Sequence, residues 1–170
     1  DLLLFFDSML IKLQLLLGSL TLAAEGIRID SALSLNSGGG NIALRGQSYA
    51  RAMGGGTGAW GVGFYGLATD GTINSGAGTI LLDGYSQTSG STYGSGLYTS
   101  SNLNIISANT TASAITLIGK ATGTSGETWG IETEGVLTVA ATATGGGITL
   151  KTSQADTSNN YEVVFRSSAS

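Results

Sequence analysis

The sequence predicts an all-β chain wound as a parallel β-solenoid, with three short strands in each coil of about 33–38 residues and little or no helix. Three observations carry this. First, an apolar-x-apolar triplet recurs at Ile42-Ala43-Leu44, Ile80-Leu81-Leu82, Ile115-Thr116-Leu117 and Ile148-Thr149-Leu150, in steps of 38, 35 and 33 residues. Second, an aromatic follows each triplet, Trp60, Tyr93, Trp129 and Tyr161, in steps of 33, 36 and 32. Third, the chain has 28 glycines and no proline, the composition of many sharp corners joining strands whose backbone donors are all needed.

From the N-terminus, Asp1 to Leu22 is the most apolar stretch. It opens on an acid, lacks an initiator Met and is interrupted by Asp7, Lys12 and Gln14, which argues against a signal peptide or a membrane span. Leu10, Ile11, Leu13, Leu15, Leu20 and Leu22 fit short strands broken at Gly18 and Ser19, with a short capping helix as the alternative. Residues 1–17 are therefore read as a cap, a joint or an irregular first coil, and the chain as a single solenoid segment, 1–170, cut from a longer repeat protein.

Beyond that stretch, period-two alternation dominates. Ile27-Arg28-Ile29, Leu33-Ser34-Leu35, Leu103-Asn104-Ile105 and Leu137-Thr138-Val139 join the triplets as half-buried strands bounded by Gly, Ser, Asn or Asp. Stacked coils place Ile42, Ile80, Ile115 and Ile148 in one inward ladder and Leu44, Leu82, Leu117 and Leu150 in another. Gly46, Gly84 and Gly119, two residues past each triplet, are expected at corners. Triplet and aromatic are separated by 18, 13, 14 and 13 residues, so 50–59 should bulge as a surface loop.

The segments Gly38-Gly39-Gly40-Asn41-Ile42-Ala43-Leu44-Arg45-Gly46, Gly76-Ala77-Gly78-Thr79-Ile80-Leu81-Leu82-Asp83-Gly84 and Gly145-Gly146-Gly147-Ile148-Thr149-Leu150, with the stretch from Gly18 to Ile29, resemble a known class of repeat. It is the filamentous-haemagglutinin-like repeat of large secreted bacterial adhesins, found in two-partner-secretion exoproteins and related autotransporter passengers. The resemblance covers about residues 18 to 165. It implies a right-handed parallel β-helix at a bacterial cell surface, exported through an outer-membrane transporter. Two features depart from it: no secretion-recognition module is evident, and Leu2 to Leu17 is more apolar than such repeats.

Composition excludes several functions. A net charge of -4 with seven scattered Lys and Arg argues against nucleic acid and against a polybasic membrane patch. Without cysteine there are no disulfides, iron–sulfur clusters or Cys-ligated zinc, and without histidine the commonest general base and metal ligand is missing. Charged residues are only 11%, so the surface is largely hydroxyl and amide.

The aromatic series suggests a sugar platform, yet Trp60, Tyr93, Trp129 and Tyr161 share parity with Val62, Leu97, Ile131 and Phe165, so period two puts all of them on one face; if that face is the core, the aromatics are stacked interior residues that fix the coil register. Glu132 and Glu134 share a strand face, with Asp83 expected near Glu132's neighbours; two acids suffice for glycoside cleavage, but no basic partner accompanies them. The calcium nonapeptide is absent, the outward series Ala43, Leu81, Thr116, Thr149 is no regular threonine array for ice, and Gly54 to Gly58 lacks the ending of a phosphate loop. Asn109-Thr110-Thr111 fits a glycosylation acceptor by chance frequency. No catalytic, cofactor-binding or metal residue is assigned. The expected role is adhesion, matrix assembly or a rigid stalk outside the cell, with glycans, surfaces or sister molecules as partners and end-to-end association through open coil ends. A receptor-free filament subunit and a β-helix polysaccharide lyase or hydrolase are the alternatives.

Overall fold

The computed structural model describes residues 19–21, 26–30, 32–50, 59–67, 69–88, 93–123, 127–154 and 160–165. A short strand β1 (Ser19–Thr21) precedes a repeating series. The first round is β2 (Ile27–Asp30), β3 (Ser34–Asn36) and β4 (Ile42–Ala50), and the second β5 (Ala59–Tyr65), β6 (Gly71–Asn74) and β7 (Ile80–Thr88). Then come β8 (Gly94–Thr99), β9 (Leu103–Ser107) and β10 (Ile115–Gly123), followed by β11 (Thr128–Thr133), β12 (Leu137–Ala141) and β13 (Ile148–Gln154), and β14 (Asn160–Phe165) begins again. No helix occurs among the described residues.

Every third strand pairs, so the rounds are coils of a parallel β-solenoid. Sheet I holds β1-β2-β5-β8-β11-β14, sheet II β3-β6-β9-β12 and sheet III β4-β7-β10-β13. All pairings are parallel except β1 with β2, where an antiparallel strand covers the first edge of sheet I. The expected cap at 1–17 and the expected loop at 50–59 fall almost wholly outside the described residues.

The triplet ladders form in the register that the sequence predicts. Ile42, Ile80, Ile115 and Ile148 are partners on successive strands, as are Leu44, Leu82, Leu117 and Leu150. Sheet II adds Leu35, Ile73, Ile105 and Val139, and sheet I adds Val62, Leu97, Ile131 and Val163. These rows meet in one core. Burial follows stacking: Leu117, covered by a coil on each side, is 1% exposed, whereas Leu150 on the last described strand of its sheet is 52% exposed and Ile148 44%. One coil alone cannot bury its own face.

The corners differ from expectation. Gly46, Gly84 and Gly119 lie inside β4, β7 and β10 in mutual register, and none has positive φ. They face a second row, Gly61, Gly96 and Gly130, in sheet I: a Cβ on Gly84 would lie 1.9 Å from the Gly96 carbonyl oxygen, and one on Gly119 2.0 Å from that of Gly130. Sheets I and III touch backbone to backbone here, which only hydrogen side chains permit. The left-handed glycines Gly38, Gly39, Gly76 and Gly145 instead make the turns from sheet II into the triplets at Ile42, Ile80 and Ile148, whereas the turn into Ile115 contains no glycine.

These turns carry a second repeated device. The Asn36 and Asn74 side-chain oxygens accept the Gly38 and Gly76 amides at 2.9 and 2.8 Å, and the Asn109 oxygen accepts that of Thr111 at 2.9 Å. Beside them Ser37, Ser75 and Ser107 are buried, one per coil, each hydroxyl donating to a carbonyl of a turn. Ser75 bonds within its own turn, to Gly78, whereas Ser107 and Asn109 reach the Gly78 and Ala77 carbonyls of the coil before, so these bonds both close the corners and tie successive coils together.

Candidate functional site

Two outer surfaces carry chemistry. On sheet I the backbone register is interrupted at Gly61, Gly96 and Gly130, and side-chain alternation resets there. Ala59, Val62 and Phe64 are buried, while Trp60 sits outside against the position of Gly63, whose added Cβ would meet the Trp60 Cβ at 3.3 Å. Trp60 and its row partner Trp129 are therefore on the outer side of the sheet, because parity counted from Val62 or Ile131 fails across the glycine, and the side chain of Tyr161 falls outside the described residues. Nor do all four form one row: Trp60, Ser95, Trp129 and Tyr161 are in register, and Tyr93 precedes β8.

The outer rings pack on one another. Trp60 and Tyr98 stack with centroids 4.7 Å apart and planes at 11°, Tyr65 lies 5.6 Å from Trp60, and Tyr93 stacks 5.8 Å from Trp129. Arg28 lies over Tyr65 at 4.9 Å and over Trp60 at 5.6 Å, and its Nε donates to Asp30 at 3.0 Å. Tyr98 and Trp129 consequently end up buried although they point outward.

The acids of this face are held too. Ser95 donates to Glu132, which is 4% exposed, and the Tyr98 hydroxyl donates to Glu134 at 2.9 Å. Burial first, then the bond to Glu134 and the charges of Glu134 and Glu132, push the Tyr98 phenol well above its ordinary value. The expected juxtaposition with Asp83 does not occur: Asp83 lies on β7 in sheet III, 3.9 Å from Arg45. Hence the carboxylates form a closed hydrogen-bonded layer with serine and tyrosine. Trp60, Tyr98 and Trp129 are covered by neighbouring rings, while Tyr65 and Tyr93 at the margins stay 41% and 48% exposed, so the face offers single ring edges rather than a continuous platform of free aromatic faces.

Sheet III presents a different surface. Its outward rows read Ala43, Leu81, Thr116, Thr149; Arg45, Asp83, Ile118, Lys151; and Gln47, Tyr85, Lys120. An open groove of about 560 Å³ runs over it, lined by Arg45, Gly46, Gln47, Asp83, Tyr85 and Lys120. The Tyr85 hydroxyl is 3.0 Å from the Thr122 hydroxyl. Sequence reasoning missed this groove, because Arg45, Asp83, Tyr85 and Lys120 are spread over 76 residues and share no local motif. The triplet register was the available signal: one residue past each triplet's end stand Arg45, Asp83, Ile118 and Lys151 in a row.

Asn109 is engaged at its corner, with Nδ2 donating to the Ala77 carbonyl at 2.7 Å. Among the described residues no group of His, Cys, Asp and Glu could hold a metal ion, and no helix is long and apolar enough to cross a membrane. Compared with protein-family models, curated proteins and solved structures, the chain finds no match.

Proposed function

We propose that the chain is a structural and adhesive segment of a secreted, surface-displayed bacterial β-helix protein. It acts as a stiff rod whose outer faces make many weak contacts with glycans or surfaces. The observation that supports this is the combination of identical inward rows with outward rows that change from coil to coil, at sheet III above all. Main-chain pairing in three sheets along one stacking axis gives stiffness, and many weak contacts on one rigid body give tenacity. The glycine-led corners before the triplets at Ile42, Ile80 and Ile148 favour the filamentous-haemagglutinin-like reading, with export through an outer-membrane transporter. Binding of the purified chain to cells and to a glycan array tests adhesion, and failure on both leaves only the spacer role. A transporter gene beside the coding sequence tests the export route.

End-to-end self-association is the second reading. Ile148, Leu150 and Val136 are exposed at the end of the stack, beside strands with one free edge each among the described residues. Light scattering and electron microscopy test it, and isolated short rods at micromolar concentration would sink it. The lyase alternative is less favoured, since Glu132 and Glu134 are bonded to Ser95 and Tyr98.

A further inference from the structure

The geometry points to the outer face of sheet III as a binding strip for a linear acidic glycan, a polyuronate whose carboxylates meet Arg45, Lys120 and Lys151. This deepens the adhesive reading and rests on it.

Charge in this chain is segregated. Among the described residues the cations are Arg28, Arg45, Lys120 and Lys151, and three of these four stand on the outer face of sheet III. The described acids are Asp30, Asp70, Asp83, Glu127, Glu132, Glu134 and Glu162, and Asp83 alone shares that face. A chain of net charge -4 thus carries a local surplus of two positive charges there, since three cations face one acid. Arg45 and Lys120 line the groove, and Lys151 continues the row of Arg45. The row from β4 to β13 spans three strand spacings, about 14 Å, so the cations are laid out along a line. Such a line fits a polymer better than a small anion.

The other groove residues identify the polymer. Asp83 and Tyr85 on β7 lie between Arg45 and Lys120, and Gln47 stands beside Arg45 on β4. A carboxylate accepts from sugar hydroxyls, an amide both donates and accepts, and a phenol ring offers an apolar face, which together suit a hydroxylated ring carrying an acid. A nucleic-acid backbone supplies dense phosphate for which Asp83 is repulsive and three cations are few. A sister molecule docking by its acidic sheet I is less favoured, because Glu132 there is buried and bonded to Ser95. Exposed ion pairs are weak singly and are screened by salt, so binding must draw on several coils at once.

Calorimetry of the full chain against polygalacturonate, dextran sulfate, neutral dextran and duplex DNA, at low and at physiological salt, is the test. Polygalacturonate should bind, more weakly as salt rises, and neutral dextran should not. The double variant Lys120→Glu with Lys151→Glu should weaken binding about tenfold or more, while Lys120→Arg with Lys151→Arg stays within about twofold. Both lysines are exposed, so unchanged thermal melts will show that the fold is intact. The inference is overturned if polygalacturonate does not bind, if the double Glu variant binds like the parent, or if DNA or dextran sulfate binds more tightly than the uronate. Cell binding without uronate binding overturns this strip and leaves the adhesive reading standing. Uronate binding without cell binding upholds the strip and narrows the adhesive reading to glycans, and binding to neither overturns both.

Discussion

Replacing Gly84 by alanine tests the contact that holds two of the three sheets together. The new Cβ would lie 1.9 Å from the Gly96 carbonyl oxygen and 2.7 Å from its carbon. Ordinary contact begins near 3.4 Å, so sheets I and III must part by about 1.5 Å. Both obstacles are backbone of central strands, and no rotamer change relieves them. Overpacking of this kind costs roughly 3 kcal/mol, the upper end of the usual range. Restricting the unfolded chain returns roughly 0.4–1 kcal/mol, leaving a net loss of about 2 kcal/mol. For a chain of this length that lowers Tm by about 4–8 °C. Gly38→Ala is the control: its Cβ meets nothing within 4 Å, but φ is +64°, so only left-handed strain of roughly 1–2 kcal/mol applies before the same offset. Thermal and urea unfolding followed by circular dichroism should rank Gly84→Ala below Gly38→Ala. A Gly84→Ala chain as stable as the parent, or milder than Gly38→Ala, would refute the backbone contact.

Leu117→Ala should cost about 2–5 kcal/mol as a core cavity, and Leu150→Ala, half exposed in the same ladder, under about 1 kcal/mol; equal losses in urea titrations would contradict the stacking account of burial. Tyr98 is bound to Glu134 and its phenol is raised above its unfolded value near 10, so its contribution is complete below about pH 10 and declines as pH rises beyond that. Parent and Tyr98→Phe melts at pH 9 and pH 11 should therefore converge at the higher pH, and an unchanged gap sinks the assignment. Ser75→Ala removes a buried donor 2.7 Å from the Gly78 carbonyl and should cost about 1 kcal/mol in the same titration, against no measurable loss for the exposed Ser34→Ala.

What could be read from the sequence was whatever repeats with an unbroken count. Ile42, Ile80, Ile115 and Ile148 announce their ladder because each is followed by the same triplet, and the structure keeps that register over the whole of sheet III. The aromatic strand misleads for the opposite reason. Trp60 and Val62 are separated by Gly61, a residue outside the pairing, and an alternation counted across it assigns Trp60 to the wrong face. The signal was present, since a glycine inside a strand pattern marks a bulge or a close approach, and Gly96 and Gly130 repeat it. Gly46, Gly84 and Gly119 were misread as corners because spacing along the chain does not reveal what lies opposite. Their meaning comes from Gly61, Gly96 and Gly130, residues remote in sequence that only the folded coil brings into contact.

The contrast between inner and outer rows bears on what kind of ligand the molecule can recognise. Inward, each position keeps its character from coil to coil, because a ladder side chain is buried by its own equivalents above and below. Outward, no such coupling exists, and Arg45, Asp83, Ile118 and Lys151 share one row while differing in charge and polarity. A ligand with the period of the strands, such as a crystal lattice, would need one outward residue type in every coil. These rows offer none, so the ligand proposed for this face would have to be read by a patch that combines different residues from three or four adjacent coils. Such a patch requires the coils to hold register, and register here depends on glycines at the contact between sheets I and III. Gly84→Ala should therefore reduce the uronate binding proposed for the groove along with stability, even though its Cβ would meet Gly96 and Leu97 and no groove side chain.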